Sequence, residues 1–522
     1  MTLQDSPQTA PVPTATPTAN PTANPSATPG ASPTTGSTGI NAASALKTGP
    51  VIALLVASAF VVVLNETIMG VALPRLMADL QITAATAQWL TTGFLLTMAV
   101  VIPLTGFLLA RFPVRNLFFT AMSLFAAGTL IAATAPGFEM LLAGRIVQAA
   151  GTAIMLPLLF TTVLTVVPAS HRGRMMGVIS IVIAVAPAVG PTVSGIILAS
   201  LNWRWMFWIV LPIALVALVL GAVWVRNITE TRPARFDVLS VLLSALGFGG
   251  LIFGLSSIGE SASGHAPIPV WIPLVVGAVS LLAFVLRQLQ LQRSDAALLD
   301  LRTFTSRSFS LAIVLVVVVM SALFGSLILL PLYLQQALML DTLTVGLMLL
   351  PGGILMGAIA PVVGSLFDRF GPRPLVLPGM IVAAAALWGM TTFDGQTSIG
   401  WIIAVHMTLN LGLGFVFTPL LTSALGSLPR ALYSHGSAIM NTLQQVAGAA
   451  GTALFITLMS VGAAGAIQSG ADATDATVTG VHTAFLVGAC IASVAVILTL
   501  FVRKPPQADA DAGADAPVLP AH

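Results

Sequence analysis

The chain has 522 residues, 57% hydrophobic and only 7% charged, with a formal net charge of +3. Apolar runs of about twenty residues recur along nearly its whole length, each able to cross a bilayer with its backbone hydrogen bonds satisfied internally. That pattern excludes a soluble fold, which would bury one or two such runs, and the basic residues lie in short connections that give nucleic acid no patch.

Residues 1–50 are mainly Thr, Pro, Ala, Ser and Asn, with Lys47 the only basic residue. So little can be buried that a disordered cytoplasmic tail is expected, and no basic region or cleavage site next to Val51 suggests a signal peptide. The first apolar helix is predicted over 51–73, stopping at Pro74, with Asn65, Glu66 and Thr67 in its middle. A carboxylate that deep costs several kcal/mol unless it is paired, protonated or facing a cavity. Glu66 is therefore the leading functional candidate.

Thirteen further spans follow, near 86–109, 116–135, 139–166, 175–199, 204–225, 237–257, 269–288, 308–333, 343–366, 374–391, 398–422, 436–459 and 480–502. Alternate loops carry the basic residues: Arg111 and Arg115; Arg172 and Arg174; Arg226, Arg232 and Arg235; Arg287, Arg293, Arg302 and Arg307; Arg369 and Arg373; Arg430; and Arg503 with Lys504. The opposite loops carry Asp79, Glu139, Glu260, Asp341, Asp394, Asp472 and Asp475, with only Arg75 and Arg204 against the trend. Positive charge marks the cytoplasmic side, so both termini are expected in the cytoplasm. Cys490 lies in the last span and reads as a small buried hydrophobe; one cysteine makes neither an intrachain disulfide nor a metal cluster.

Two internal echoes point to a repeated architecture. Gly106 to Arg115 is echoed by Gly364 to Arg373, and Pro168 to Gly173 by Pro429 to Gly436. Six helices, a two-helix insert and six more account for the fourteen. The expected divisions are a tail at 1–50, a first bundle at 51–226, the insert at 227–303, a second bundle at 304–504 and a disordered tail at 505–522.

These residues resemble a known family. Leu64 to Pro74 is similar to the first-helix signature of the fourteen-helix drug:proton antiporters (EmrB/QacA-like) of the major facilitator superfamily. Gly144 to Gly151 resembles their fourth-helix arginine motif, Ala186 to Gly195 their fifth-helix antiporter motif, and Gly364 to Arg373 their cytoplasmic loop motif. Gln88 to Gly93 resembles the branch containing lincomycin-type exporters. The resemblance implies an all-α polytopic membrane protein with the major facilitator fold. It also has departures. Asn65 stands where the family usually has aspartate, and the acid has moved to Glu66, a rotation of roughly 100° on a helix. In the first-half loop motif, Ala110 replaces a common aspartate and Pro113 a common glycine; Ser194 replaces a glycine in the fifth helix.

Read physically, Glu66 is a proton carrier; a structural hydrogen-bond role is the alternative. Arg145, two turns into the fourth helix, needs an acid, a carbonyl or water; Glu66 is the expected acid, with Gln148 sharing the network, so that Arg145 takes part in proton coupling by tuning Glu66 and is freed when Glu66 protonates, a static helix brace being the alternative. Gly190 and Gly195 permit close helix contact, while Pro187 and Pro191 permit bending, as rocking halves require; an ordinary packing seam is the alternative. Asp368, Arg369 and Arg373 suit an inward gate. His406 and Asn410, one turn apart, are candidates for substrate contact or a second protonation site, a buried hydrogen-bonded pair being the alternative; Asn441, Gln444 and Gln445 are candidates for substrate contact or for buried glue, as are Asn65 and Gln148. Gln335 and Gln336 belong to the same class. Trp89, Phe94, Met98, Met155, Phe160, Phe324, Phe415 and Phe417 are candidates for an adaptable apolar pocket. Trp203, Trp205 and Trp208 suggest an interfacial belt.

No phosphate-binding loop with lysine and no metal-ligand spacing appears, so neither an enzyme nor a cofactor is expected; a proton gradient supplies the energy. The expected function is drug:H+ antiport of lipophilic, often cationic compounds by alternating access, in a bacterial plasma membrane. Expected partners are those small molecules, protons and membrane lipid, with the chain functional as a monomer. The alternatives are an exporter dedicated to one endogenous metabolite, amino acid or lipid, or a non-transporting receptor or scaffold, which the short loops disfavour.

Overall fold

The computed structural model describes residues 38–82, 84–225, 237–262, 268–294 and 296–502, apart from some helix side chains that include Lys47, Gln88, Pro191 and Glu260. Arg226, Arg232, Arg235, Arg503, Lys504 and the tail at 505–522 lie outside the described residues. The chain divides into two compact units, Met1–Leu46 and Lys47–His522. Of the first, Thr38–Leu46 is described and is helical, where a disordered tail was expected; its Ala42, Ala43, Ala45 and Leu46 are good helix formers.

Fourteen helices among the described residues are long and apolar enough to cross a membrane. They are α1 (Thr38–Leu80), α2 (Ala84–Arg111), α3 (Val114–Ala133), α4 (Phe138–Val166), α5 (Arg172–Ser200), α6 (Trp205–Trp224) and α7 (Val238–Ala262). After these come α8 (Trp271–Leu291), α9 (Arg307–Gln336), α10 (Thr342–Phe370), α11 (Arg373–Met390), α12 (Ile399–Gly426), α13 (Tyr433–Gln468) and α14 (Ala473–Thr499).

Two boundaries differ from the sequence reading. Helix α1 continues through Pro74 to Leu80. A proline removes one backbone hydrogen bond, which a packed membrane helix tolerates, and an Arg75–Asp79 pair at 3.5 Å lies on the added turns. Helix α13 reaches Gln468, so the expected outer loop from Ser460 shrinks to a short turn before α14.

Small residues set the tightest packing. A Cβ on Gly144 of α4 would lie 2.8 Å from the Ala132 nitrogen and 2.9 Å from the Gly128 carbonyl of α3. A Cβ on Gly412 of α12 would lie 2.5 Å from the Ala383 nitrogen and 2.8 Å from the Gly379 carbonyl of α11. Both helix pairs thus use a glycine pressed onto a Gly-x-x-x-Ala stripe, the small-residue device of membrane helix contacts. Helix α5 packs along α10, and α2 packs along α13. Helices α7 and α8 pair with each other, and α7 also rests on α2 and α13. The second sequence echo has a structural counterpart: a 3-10 turn opened by proline, Ala169–His171 or Arg430–Leu432, precedes α5 and α13.

Two expectations about single residues fail. Trp203 is fully buried beneath the Arg204 guanidinium, 4.2 Å from its ring centre, leaving Trp205 and Trp208 as the exposed pair. Cys490 is exposed on α14 rather than buried.

Candidate functional site

The two neighbours Asn65 and Glu66 face different surroundings, as a one-residue step around a helix requires. Asn65 is fully buried, and its Oδ1 accepts a hydrogen bond from Arg145 Nη1 at 3.0 Å. The same Nη1 donates to Gln148 Oε1 at 2.8 Å, and Gln148 Nε2 donates to Thr129 Oγ1 at 2.8 Å. The Arg145 guanidinium lies 4.0 Å over the Phe94 ring, a cation–π contact that offsets part of the cost of burying the charge. Its Nε and Nη2 have no hydrogen-bond partner among the described residues. Arg145 is therefore held chiefly by amides and an aromatic face: its direct hydrogen bond goes to Asn65, while Glu66, which lines the larger cavity with it, interacts with it through space. Asn65 and Gln148, candidates for substrate contact, instead brace the arginine, because both are fully buried.

Glu66 is on the wall of two adjoining cavities. The first, about 140 Å³, is lined mainly by apolar residues of α1, α2, α4, α5, α9 and α10, with His406, Asn410, Asn441, Gln444 and Gln445 supplying polar atoms. The second, about 810 Å³, shares Glu66, Thr67, Pro187, Phe324, Gly346 and Gln445 with the first. It extends along α2, α9 and α13 and takes in Arg145 of α4 and Ile252, Leu255 and Ser256 of α7. Gln445, whose Nε2 lies 3.6 Å from Met98 Sδ, also interacts with the Glu66 carboxylate. The insert therefore contributes a wall. Ser256 was legible only as one of two serines in an apolar run.

The structure brings the second-half candidates together on the first cavity. Asn410 Nδ2 donates to the His406 carbonyl at 2.9 Å and lies 3.2 Å from its Nε2. Both press on Gly352, where a Cβ would lie 2.7 Å from His406 Nε2. Asn441 Nδ2 donates to the Ser437 carbonyl at 2.8 Å, and Gln444 Nε2 has no partner. Other candidates go elsewhere. Trp89 stacks on Phe253 of α7 at 5.8 Å between ring centres instead of lining either cavity. Met155, Phe160 and Phe417 are fully buried in the packed core, and Gln335 and Gln336 are exposed. Phe94, Met98 and Phe324 do line the cavities.

The inward-side candidates divide. Asp368 at the end of α10 accepts the Gly173 and Arg174 amides of α5 at 2.7 and 2.8 Å. It thereby satisfies two of the four amide donors that a helix N-terminus leaves open. Gly173 and Gly364 touch backbone to backbone, so neither position has room for a side chain. Arg369 lies over Phe370 at 5.1 Å, and Arg373 is exposed at the start of α11. On α5, a Cβ at Gly190 would collide with Thr67 of α1, a contact the sequence did not reveal. Gly195 has open space around it, so it makes no close contact; the side chain of Pro191 lies outside the described ones. Among the described residues no group of three His, Cys, Asp or Glu could hold a metal ion.

A family model described as Major Facilitator Superfamily matches residues 55–452. The chain belongs to that superfamily. Within it the facilitator is 45% identical over 460 residues to the lincomycin resistance protein LmrB of Listeria monocytogenes, covering 87% of this chain and 97% of the relative. It is 32% identical over 402 residues to a multidrug resistance protein B homolog of Mycobacterium tuberculosis, covering 76% and 73% of the two chains. The facilitator thus lies among the fourteen-helix drug-resistance transporters, and the lincomycin-type likeness of Gln88 to Gly93 agrees with the first relative. The human organic anion transporter MFSD10 superposes with a TM-score of 0.63 at 14% identity, covering 86% of this chain and 99% of that one, which speaks for the fold alone. The facilitator is a multi-pass bacterial membrane transporter and not an enzyme.

Proposed function

We propose that the protein exports lipophilic, often cationic compounds in exchange for protons that enter on Glu66. The observation that carries this reading is the placement of one carboxylate on the shared wall of two largely apolar cavities. The smaller, at about 140 Å³, is too tight for a drug-sized molecule. The larger, at about 810 Å³, falls within the roughly 300–1,000 Å³ usual for small-molecule sites. Cargo would occupy the larger cavity, against Phe324 and α7, with Glu66 within reach. The names of the relatives, a lincomycin resistance protein and a multidrug resistance homolog, support an antibiotic-like cargo.

Alternating access follows from two six-helix halves, 51–226 and 304–504, rocking about the cavities, with 227–303 inserted between them. The matching glycine contacts of α3 with α4 and of α11 with α12 support that grouping. The loop charges support cytoplasmic termini. In the outward-open form Glu66 takes a proton and cargo leaves; in the inward-open form the proton departs and cargo binds, the differential affinity driving the cycle. The protein acts as a monomer surrounded by lipid.

The test is proton-gradient-driven uptake of a lipophilic cation and of lincomycin into proteoliposomes, comparing the native protein with Glu66→Gln. Loss of gradient-driven transport by a folded variant is expected. Equal transport by both proteins would refute the role of Glu66 and move the search to His406.

A further inference from the structure

The two halves close their inward seams differently. At the α5–α10 seam, Asp368 accepts two α5 amides and Gly364 lies directly on Gly173. At the α2–α13 seam the position echoing Asp368 is Ala110, which has no acceptor, and α13 begins without a side-chain cap. The position echoing Gly364 is Gly106. A Cβ there would lie 3.2 Å from Leu299, 3.3 Å from His435 Nδ1 and 3.4 Å from Ala438. The extra element at this seam, Leu299, belongs to the segment that joins the insert to α9.

That segment is firmly built. Leu298, Leu299 and Asp300 are almost fully buried, as is Thr303 in the short 3-10 helix Leu301–Thr305. Gln288 of α8, itself fully buried, accepts the amides of Leu298 at 2.7 Å and Leu299 at 3.2 Å. Gln288 Nε2 donates to Ser240 Oγ at 2.7 Å, and Ser240 in turn donates to Asp237, which pairs with Arg287 at 2.7 and 2.8 Å. On the other face, His435 of α13 interacts with the Leu298 backbone and with Asp300. A continuous line of polar contacts therefore runs from the insert, through the joining segment, to the first turn of α13.

We propose that the joining segment Leu298–Thr305, suspended from Gln288, is the inward latch of the α2–α13 seam, replacing the acid that Ala110 lacks. The insert anchors that latch. This rests on the alternating-access reading above. Gln288, Leu299 and His435 are positioning residues: they touch neither cargo nor Glu66, and they set the balance between closed and open inward faces. Leu299 must leave Gly106 for α2 and α13 to separate, so weakening its suspension favours the open face.

The experiment measures spin-label distances across both seams in the full-length chain after Cys490→Ser. Labels on Phe112→Cys and Ala431→Cys, both exposed positions, report the α2–α13 seam; labels on Ser170→Cys and Phe370→Cys, also exposed, report the α5–α10 seam. Gln288→Leu removes the acceptor of two buried amides and is expected to raise the open fraction at the α2–α13 pair roughly tenfold at neutral pH. Leu299→Ala, a milder change, is expected to raise it several-fold and to decide the matter alone if Gln288→Leu does not fold. Asp368→Ala is expected to open the α5–α10 pair first. Variants at Gln288 and Leu299 that match a switching parent at the α2–α13 pair overturn the latch and leave the transport reading standing. A parent whose distances never change with pH or lincomycin overturns alternating access, and the latch falls with it.

Discussion

The brace around Arg145 makes a quantitative prediction. Gln148→Leu keeps the size of the side chain but removes an acceptor from Arg145 and a donor from Thr129, two contacts of 2.8 Å. A hydrogen bond from a charged donor contributes about 1.5–3 kcal/mol and a neutral one about 0.5–1.5 kcal/mol, so the variant should lose roughly 2–4 kcal/mol. Thr129 retains a bond to the Phe125 carbonyl at 2.6 Å, which favours the lower half of that range. If the loss reflects a stranded guanidinium, removing the charge first should relieve it: in an Arg145→Met background, Gln148→Leu should cost less than about 1 kcal/mol, because both partners are then apolar. The coupling between the two sites should be about 1.5 kcal/mol, at the upper end of the range for side-chain pairs in bilayer bundles. Reversible unfolding in mixed detergent micelles, followed by fluorescence of the 8 tryptophans, supplies the four stabilities. Equal costs in the two backgrounds would refute the argument that Gln148 holds Arg145.

Three other outcomes follow from particular contacts. Gly151→Ala should lose about 1–3 kcal/mol by forcing α4 off Ala121 and Phe125 of α3, while Gly195→Ala should change stability by less than about 0.5 kcal/mol; the same unfolding assay compares them. The Arg287 hydrogen bonds hold the Asp237 carboxyl down at about 2, so the brace of the insert is complete above pH 3.8 and is lost as pH falls toward 2. Discounted for its position near the surface, that loss is about 1 kcal/mol, and it should disappear in Asp237→Asn when acid stability curves are overlaid. Leu255→Trp should shrink the larger cavity and lower transport of bulky compounds about tenfold relative to small cations in proteoliposomes; an unchanged substrate profile would remove α7 from the path.

Much of this molecule was legible in its sequence because a bilayer restricts what an apolar run can become. The fourteen helices, the depth of Glu66 and the division of loop charge all follow from hydropathy. One boundary error has a clear cause: Pro74 reads as a stop, yet α1 passes through it because neighbouring helices stabilise what an isolated helix would lose. Rotation about the helix axis was harder. The step from Asn65 to Glu66 was visible, but which of them met Arg145 depended on how α4 sits against α1. The arginine took the amide because that face is the one α4 meets. Burial of Asn65, Gln148 and Trp203 had no local signal, since polar and interfacial side chains look alike along a sequence whether a neighbour covers them or not. The contribution of α7 to the cavity was hidden for a related reason: an insert carries no counterpart in the repeat against which its facing side might be judged.

The way Arg145 is held has an electrical consequence. Its positive charge is fixed in a socket of two amides and one aromatic ring, on the wall of the larger cavity that it shares with Glu66, so in the proposed cycle the exchangeable charge resides in one carboxylate, Glu66. In that proposed cycle one acid carries one proton per turnover. Exchanging that proton for a monovalent cation moves no net charge, and the membrane voltage then adds nothing to the driving force. Exchanging it for a neutral molecule moves one positive charge inward and gains about 2.3 kcal/mol for every 100 mV. The same protein would therefore export uncharged cargo against steeper gradients than cations in a well-energised cell, and would lose that advantage when voltage alone is collapsed.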